Sequence, residues 1–232
     1  MPKLLEFATA TGSPARVNRF FRMICGTIRT ELHQFGREMM VEGTALAHSS
    51  TCSGIILAGG QGSRMGGVDK GWVEWQGLPL IQHVIQRLAP QVDDLVISAN
   101  RSLEQYQALG HPVVADHLPD FSGPLAGIAA ALAVCRHDWA LVVACDCPLL
   151  PLHLGQTLRD AHPNALLRLV HDGTHLQPLF MLLHRQLLPS LQQALAQQQY
   201  KVGQWARAQS PQIVQITTPA AFVNFNTRAD LS

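Results

Sequence analysis

Residues 57–70 have the sequence LAGGQGSRMGGVDK, which follows an apolar run at residues 54–58. A short apolar run that stops at glycines is typical of a buried strand. Five glycines then fall within nine residues, so the backbone can approach a ligand closely. Backbone N–H groups in such a loop can bind phosphate oxygens, and Arg64 and Lys70 add positive charge. The stretch predicts a phosphate-binding loop, although the glycine pattern alone equally allows a purely structural turn.

Two common phosphate-binding motifs do not match this loop. The dinucleotide motif G-x-G-x-x-G, started at Gly60, would require glycine where the chain has Met65. The mononucleotide motif G-x-x-x-x-G-K-[ST] fits the spacing of Gly62 and Gly67, but residues 68–69 are Val-Asp instead of Lys-Ser or Lys-Thr. The loop therefore belongs to neither of these classes.

Beyond the loop, strand-like and helix-like patterns alternate along the chain. The strands are predicted at residues 54–58, 94–99, 113–115, 139–144, 165–170, 179–183, 213–216 and 222–225. The helices are predicted at residues 80–88, 103–109, 123–135, 152–161 and 186–198. Alternation of this kind predicts an α/β fold with a mostly parallel, Rossmann-like sheet and helices on both faces.

Just after four predicted strands, within two residues of each strand end, lie a glycine or a polar residue, namely Gly59, Asn100, Asp116 and Asp146. In parallel α/β sheets ligands bind beyond the carboxyl ends of the strands, so a single cleft is predicted there. Asp146 suits a Mg²⁺ site, because Mg²⁺ takes one or two carboxylates together with substrate phosphates. The alternative is that Asp146 caps the turn before Pro148. Asp116 is expected either to accept a hydrogen bond from a base or a ribose hydroxyl, or to cap a loop.

Composition excludes several classes of protein. Of the 232 residues, 47% are hydrophobic and 14% charged, and the formal net charge is +1. This predicts a folded core and argues against a nucleic-acid or anionic-membrane binder. The longest apolar run, residues 123–135, is shorter than the about 20 residues of a membrane span. Five irregularly spaced cysteines favour a reducing compartment, the cytoplasm, over a disulfide framework.

The first fifty residues differ from the rest of the chain. They contain five arginines but no aspartate, and their one apolar stretch lacks the position and context of a secretory signal. We predict either a weakly ordered N-terminal extension at residues 1–50 or an upstream translation start, with Met39 and Met40 as later candidates, and we expect no role in activity. A single catalytic domain is predicted at residues 51–232.

Five segments together resemble one family. LAGGQGSRMGGVDK (57–70), ISANR (97–101), ADHLPDFSGPLAG (115–127), CDCP (145–148) and FVNFN (222–226) are similar, in order and spacing, to motifs of the molybdenum cofactor guanylyltransferases. The glycine loop alone identifies only the wider nucleotidyltransferase class. The paired glycines of LAGG, the Asp-Lys pair and GPLAG favour the guanylyltransferase branch over related cytidylyltransferases, which typically begin LAAG.

The resemblance implies a nucleotidyltransferase-type domain that binds GTP and Mg²⁺. It implies nucleotide contacts at Leu57, Ala58, Gly59, Lys70, Asp116 and Asp146, with Asp146 also binding the metal, and its alignment makes Ser98 a further candidate contact. One position departs from the family pattern. Ser98 stands where the family has a nucleotide-contacting asparagine, and a serine lacks the paired donor and acceptor of an amide. Asn224 and Asn226 match asparagines that face the pterin substrate.

The implied reaction is attack by the terminal phosphate of Mo-molybdopterin on the α-phosphorus of GTP, with release of pyrophosphate. Arg64, Lys70 and Asp146 are the implied catalytic residues. The implied protein partners are those that deliver the cofactor or mature molybdoenzymes. Two alternatives stay open from the sequence. One is a nucleotidyltransferase that uses CTP or a sugar phosphate, and the other is a non-catalytic pterin- or nucleotide-binding module.

Overall fold

A computed structural model describes residues 51–58, 69–116, 123–162, 164–218 and 220–225. Three of the sequence-based predictions fall outside these residues. They are the N-terminal extension at residues 1–50, the glycine loop at residues 59–68 with Gly59 and Arg64, and the position of Asn226. All the described residues belong to one compact unit, Ser49–Ser232.

The described chain is built around a seven-stranded sheet with the order β5-β4-β1-β6-β8-β7-β9. Its strands are β1 (Cys52–Leu57), β4 (Asp94–Ser98), β5 (Val113–Val114), β6 (Trp139–Ala144), β7 (Leu167–His171), β8 (Leu176–His184) and β9 (Gln212–Gln215). A separate two-stranded hairpin consists of β2 (Glu74–Trp75) and β3 (Leu78–Pro79). Within the described part of the sheet, only β8 runs antiparallel to its neighbours.

Helices cover both faces of this sheet. They are α1 (Leu80–Leu88), α2 (Leu103–Gln107), α3 (Pro124–Val134), α4 (Leu154–Ala161), α5 (Leu188–Ala196) and α6 (Val202–Ala208). Side chains of α1, α2 and α4 pack on one face with Ile56 and Leu141, whereas α3, α5 and α6 pack on the other with Ile55 and Val142. Successive residues of β1 and β6 thus feed two cores, because strand side chains alternate between faces. The predicted fold class is confirmed.

One predicted strand is wrong and three elements were missed or shortened. Residues 222–225 form no strand; Phe222 and Phe225 are instead buried singly, each against another ring. The hairpin β2–β3 and helix α6 are too short to give a clear periodic signal. Strand β8 begins at Leu176, three residues before the prediction, because Pro178 lies at an irregularity of the β7–β8 pairing where proline is tolerated.

The described cysteines and helices also bear on the expectations from composition. Cys52, Cys135, Cys145 and Cys147 are buried free thiols. Burial raises the pKa of Cys52 to about 12, so this thiol remains protonated and unreactive. In the parts of the chain that the structure describes, no helix is both long and apolar enough to cross a membrane.

Candidate active site

The carboxyl ends of four parallel strands are aligned by their pairing register. Leu57 of β1 pairs with Ser98 of β4 on one side and Ala144 of β6 on the other, and Ser98 pairs with Val114 of β5. Each strand therefore ends at the same edge of the sheet. The residues that follow include the four positions Ala58, Asn100, Asp116 and Asp146. Parallel pairing is the physical reason that polar residues far apart in the chain are gathered at one edge.

Lys70 and Asp146 form an ion pair at this edge. The Lys70 ammonium Nζ lies 3.0 Å from Asp146 Oδ2, and the two side chains are 22% and 14% exposed. Lys70 begins a short 3₁₀ turn at Lys70–Trp72, and Asp146 follows the end of β6 by two residues. Among the described residues, the Asp146 carboxylate accepts from Lys70 Nζ and, at 3.9 Å, from Cys147 Sγ, and from no backbone N–H of the turn before Pro148. This contact favours a role at the sheet edge over the turn-capping alternative.

Asp116 is held by a reciprocal pair of hydrogen bonds with Asn100. Asn100 Nδ2 donates to Asp116 Oδ2 at 2.8 Å, and the backbone N–H of Asp116 donates to Asn100 Oδ1 at 3.0 Å. The second carboxylate oxygen, Oδ1, is buried without a hydrogen-bond partner among the described residues. A buried carboxylate oxygen that lacks a donor is costly, so it is a natural acceptor for a ligand. The sequence placed Asn100 at the edge but assigned it no function.

Ser98 lies inside the fold, under the first turn of α3. Its side chain is 4% exposed, and a Cβ built on Gly127 would lie 2.5 Å from Ser98 Oγ. Gly127 is the last residue of the GPLAG segment. Glycine is needed at this position because β4 and α3 approach each other so closely. The small serine hydroxyl thus fills the space between β4 and α3.

Gly127→Ala is expected to destabilise the protein, because the added methyl group overlaps Ser98 Oγ. Overpacking costs about 1–3 kcal/mol, against a gain of about 1 kcal/mol in helix propensity. Replacing Ser98 with alanine removes the overlapping oxygen. The Ser98→Ala/Gly127→Ala protein should therefore recover at least 1 kcal/mol relative to Gly127→Ala alone, roughly the overpacking term. Urea unfolding of all four proteins measures this coupling, and equal effects of Gly127→Ala in both backgrounds would contradict it.

The C-terminal segment closes one side of the site. The Phe225 N–H donates to the Asp146 carbonyl at 2.9 Å. The rings of Phe225 and Trp75 pack edge to face, with their centroids 5.1 Å apart. Cys147 Sγ donates to Asn224 Oδ1 at 2.8 Å. Burial raises the pKa of Cys147, which keeps this thiol a donor. Asn224 is thereby held beside the Lys70–Asp146 pair, through a cysteine whose role no sequence pattern indicated.

The turn between β7 and β8 has a structural explanation. The Asp172 Oδ1 accepts the N–H groups of Thr174 and His175, each at 2.7 Å, and Oδ2 accepts from Gln177. The pKa of Asp172 is lowered to about 2. The largest cause is the hydrogen bond from the backbone N–H of His175, and the next is that from Thr174. The Asp172 carboxylate therefore stabilises the turn itself.

A mostly parallel sheet with a lysine–aspartate pair at its carboxyl edge, in a chain whose sequence has five glycines at residues 59–67, is typical of the nucleotidyltransferase class. Residues 54–212 match the family model described as a MobA-like NTP transferase domain. A relative from Bordetella petrii, called molybdenum cofactor guanylyltransferase, is 43% identical over 185 residues, which cover 77% of this chain and 94% of the relative. One of the same name from Vibrio cholerae is 42% identical over 185 residues, covering 79% and 91%. The chain belongs to the molybdenum cofactor guanylyltransferase family, which confirms the resemblance.

Solved structures agree on the fold. Molybdopterin-guanine dinucleotide biosynthesis protein A from Archaeoglobus fulgidus has a TM-score of 0.60 at 21% identity, covering 77% of this chain and 94% of that one. A nucleotidyl transferase from Methanothermobacter has a TM-score of 0.61 at 17% identity, covering 78% and 94%. At these identities the likeness concerns the fold alone.

Proposed function

We propose that this protein transfers GMP from GTP to the terminal phosphate of Mo-molybdopterin. The reaction releases pyrophosphate and forms the molybdopterin guanine dinucleotide cofactor. The observation that carries the proposal is the Lys70–Asp146 pair at the carboxyl edge of the sheet, where nucleotides bind in such folds. The names of the relatives that match most of the chain support the choice of substrates.

On the phosphate side, Lys70 is the proposed ligand of the triphosphate. Its compact ammonium can neutralise the charge that develops on the leaving pyrophosphate. The glycine loop and Arg64 are proposed to bind the same phosphates. Nucleotidyl transfer depends on in-line positioning and charge neutralisation more than on covalent chemistry by the protein. The attacking phosphate is already ionised near neutral pH, so the site needs no general base.

Asp146 is the proposed Mg²⁺ ligand. Its donor set fits this ion, because Mg²⁺ is usually held by one or two carboxylates with substrate phosphates completing the shell. No group of three or more metal-ligating side chains occurs among the described residues, so Asp146 would act with GTP rather than in a protein cage. Bound Mg²⁺ supplies Lewis-acid polarisation of the α-phosphate. The carboxylate of Asp146 would hold that ion in place.

On the nucleoside side, Asp116 is the proposed acceptor for a hydroxyl or N–H group of GTP. Its Oδ1 is the buried oxygen described above, and Asn100 holds its orientation. The backbones of Leu57, Ala58 and Gly59 would line the nucleotide. Ser98 would contribute by setting the distance between β4 and α3, since its side chain is almost wholly buried there.

On the acceptor side, Asn224 and Asn226 are the proposed pterin contacts. The hydrogen bond from Cys147 holds the Asn224 side chain near the Lys70–Asp146 pair.

We further propose that proteins which deliver or receive the cofactor dock beside the pterin contacts. The reaction is assigned to the cytoplasm, where free cysteines such as Cys145 stay reduced.

The test is incubation of the protein with Mo-molybdopterin, Mg²⁺ and one nucleotide at a time. We expect pyrophosphate and the guanine dinucleotide with GTP, and at least about 10-fold lower kcat/KM with CTP or ATP, since buried polar groups penalise a mismatched base. A chain lacking residues 1–50 should react equally well. Equal rates with all three nucleotides, or transfer to a sugar phosphate instead, would refute the assignment. Tight GTP binding without pyrophosphate release would identify a non-catalytic binding module.

A further inference from the structure

Lys70 lies on a short turn that a single carboxylate organises. Asp69 precedes the 3₁₀ turn at Lys70–Trp72, and its Oδ1 accepts the backbone N–H of Gly71 at 3.2 Å. Asp69 is itself largely buried, with a side chain that is 10% exposed. The direction in which Lys70 points therefore depends on what holds Asp69.

The hydroxyl of Tyr106 holds that carboxylate from another part of the fold. Tyr106 Oη donates to the same Asp69 Oδ1 at 2.7 Å, although the two residues are 37 positions apart. Tyr106 lies on α2 and is completely buried. Burial raises its pKa, so the hydroxyl remains protonated and serves as a donor. Arg101 Nε, 4.0 Å from Asp69 Oδ2, adds an ion pair on the other oxygen.

The turn is shaped around this hydroxyl. A Cβ built on Gly71 would overlap Tyr106 Oη, so the tyrosine occupies the space that any other residue would need at position 71. The ring of Trp72, the last residue of the turn, packs against the Tyr106 ring with centroids 5.1 Å apart. Asp69, Gly71 and Trp72 therefore all contact Tyr106, and Lys70 lies between them in the chain.

We propose that Tyr106 is a positioning residue for Lys70. Its hydroxyl fixes Asp69, the Asp69 carboxylate fixes the turn, and the turn directs the Lys70 ammonium to Asp146. Tyr106 itself, wholly buried, would touch no substrate. The structural part of this inference stands on the contacts above, and only its consequence for catalysis rests on the proposed function.

The test uses Tyr106→Phe and the scarcity of lysine in this chain, which has only Lys3, Lys70 and Lys201. Trace acetylation with acetic anhydride, followed by mass spectrometry, gives the rate at Lys70 relative to the exposed Lys201. Phenylalanine keeps the ring and removes the donor. We expect the relative rate at Lys70 to rise about threefold or more, as the ammonium leaves Asp146. The value of kcat/KM for GTP should fall about 10-fold, since a 1 Å displacement can cost about 10²-fold.

Two further variants separate positioning from general loss of stability. Leu158→Ala opens a cavity in α4 in the same core and should lower the melting temperature while leaving the Lys70 labelling ratio unchanged. Gly71→Ala forces the Tyr106 hydroxyl away and should reproduce the effect of Tyr106→Phe, which also covers the case that Tyr106→Phe does not fold. Labelling as in the parent in both Tyr106→Phe and Gly71→Ala would overturn the inference. If the parent forms no guanine dinucleotide, the proposed function fails while the labelling still decides this inference.

Discussion

Asp146→Asn should abolish most of the activity while leaving the fold intact. Asparagine keeps the shape of the side chain but removes the charge that would hold Mg²⁺ and that pairs with Lys70 at 3.0 Å. Losing one preorganised electrostatic group costs about 10²–10³ in kcat, and losing the metal costs at least that. The amide oxygen of asparagine can still accept a hydrogen bond from Lys70 Nζ, so the melting temperature should change little. Steady-state kinetics, Mg²⁺-dependent GTP binding and thermal unfolding together measure these effects.

The control for this variant is Asp160→Asn, which removes the same charge from an exposed position on α4. It should behave as the parent in all three measurements. If Asp146 only caps the turn before Pro148, Asp146→Asn should retain its activity, because asparagine caps nearly as well as aspartate. Turnover of Asp146→Asn within a few-fold of the parent at saturating Mg²⁺ would show that the metal assignment is incorrect.

Lys70→Met should lower kcat by about 10²–10³, because methionine keeps an unbranched chain but carries no charge toward the leaving pyrophosphate. GTP binding should weaken as well. Lys70→Arg keeps the charge in a larger planar group and should restore only part of the rate. The matched control is Arg207→Met, which removes a positive charge from an exposed position on α6.

Lys70 and Asp146 are also expected to act as a unit. Residues that act together give strongly non-additive effects, so adding Lys70→Met to Asp146→Asn should cost little beyond the single change. The kcat values of the four proteins form a double-mutant cycle. Full additivity of the two effects on kcat would mean that Lys70 and Asp146 act independently in catalysis despite their 3.0 Å contact.

The fold could be predicted from the sequence because hydrophobic periodicity sets the elements and their alternation sets the sheet. Strand β6 and helix α1 were placed at their observed bounds, since each has a long and regular apolar pattern. The prediction of a strand at residues 222–225 was incorrect. Its apolar residues alternate as in a strand, but here the alternation buries two aromatic rings at separate places. Phe222 packs on Phe180 and Phe225 on Trp75, contacts that no local pattern contains.

The site could be predicted in part. Asp116 and Asp146 follow predicted strands, and parallel strands end at one edge, so the position of both residues at the same edge follows from topology alone. The contacts of Asn100, Tyr106 and Cys147 could not be predicted. Each acts through a single hydrogen bond, or a pair of them, to a residue between 16 and 77 positions away.

By itself, the sequence determined the class of fold and the family to which the chain belongs, and it predicted the sheet edge at which the candidate site lies. These depend on periodicity and on short motifs, which are local properties of the chain. The tertiary structure decided how the functional side chains are oriented. Lys70 meets Asp146 across 76 residues, and Ser98 is buried under Gly127 of α3. Side-chain direction depends on packing between distant elements, and that packing exists only once the chain has folded.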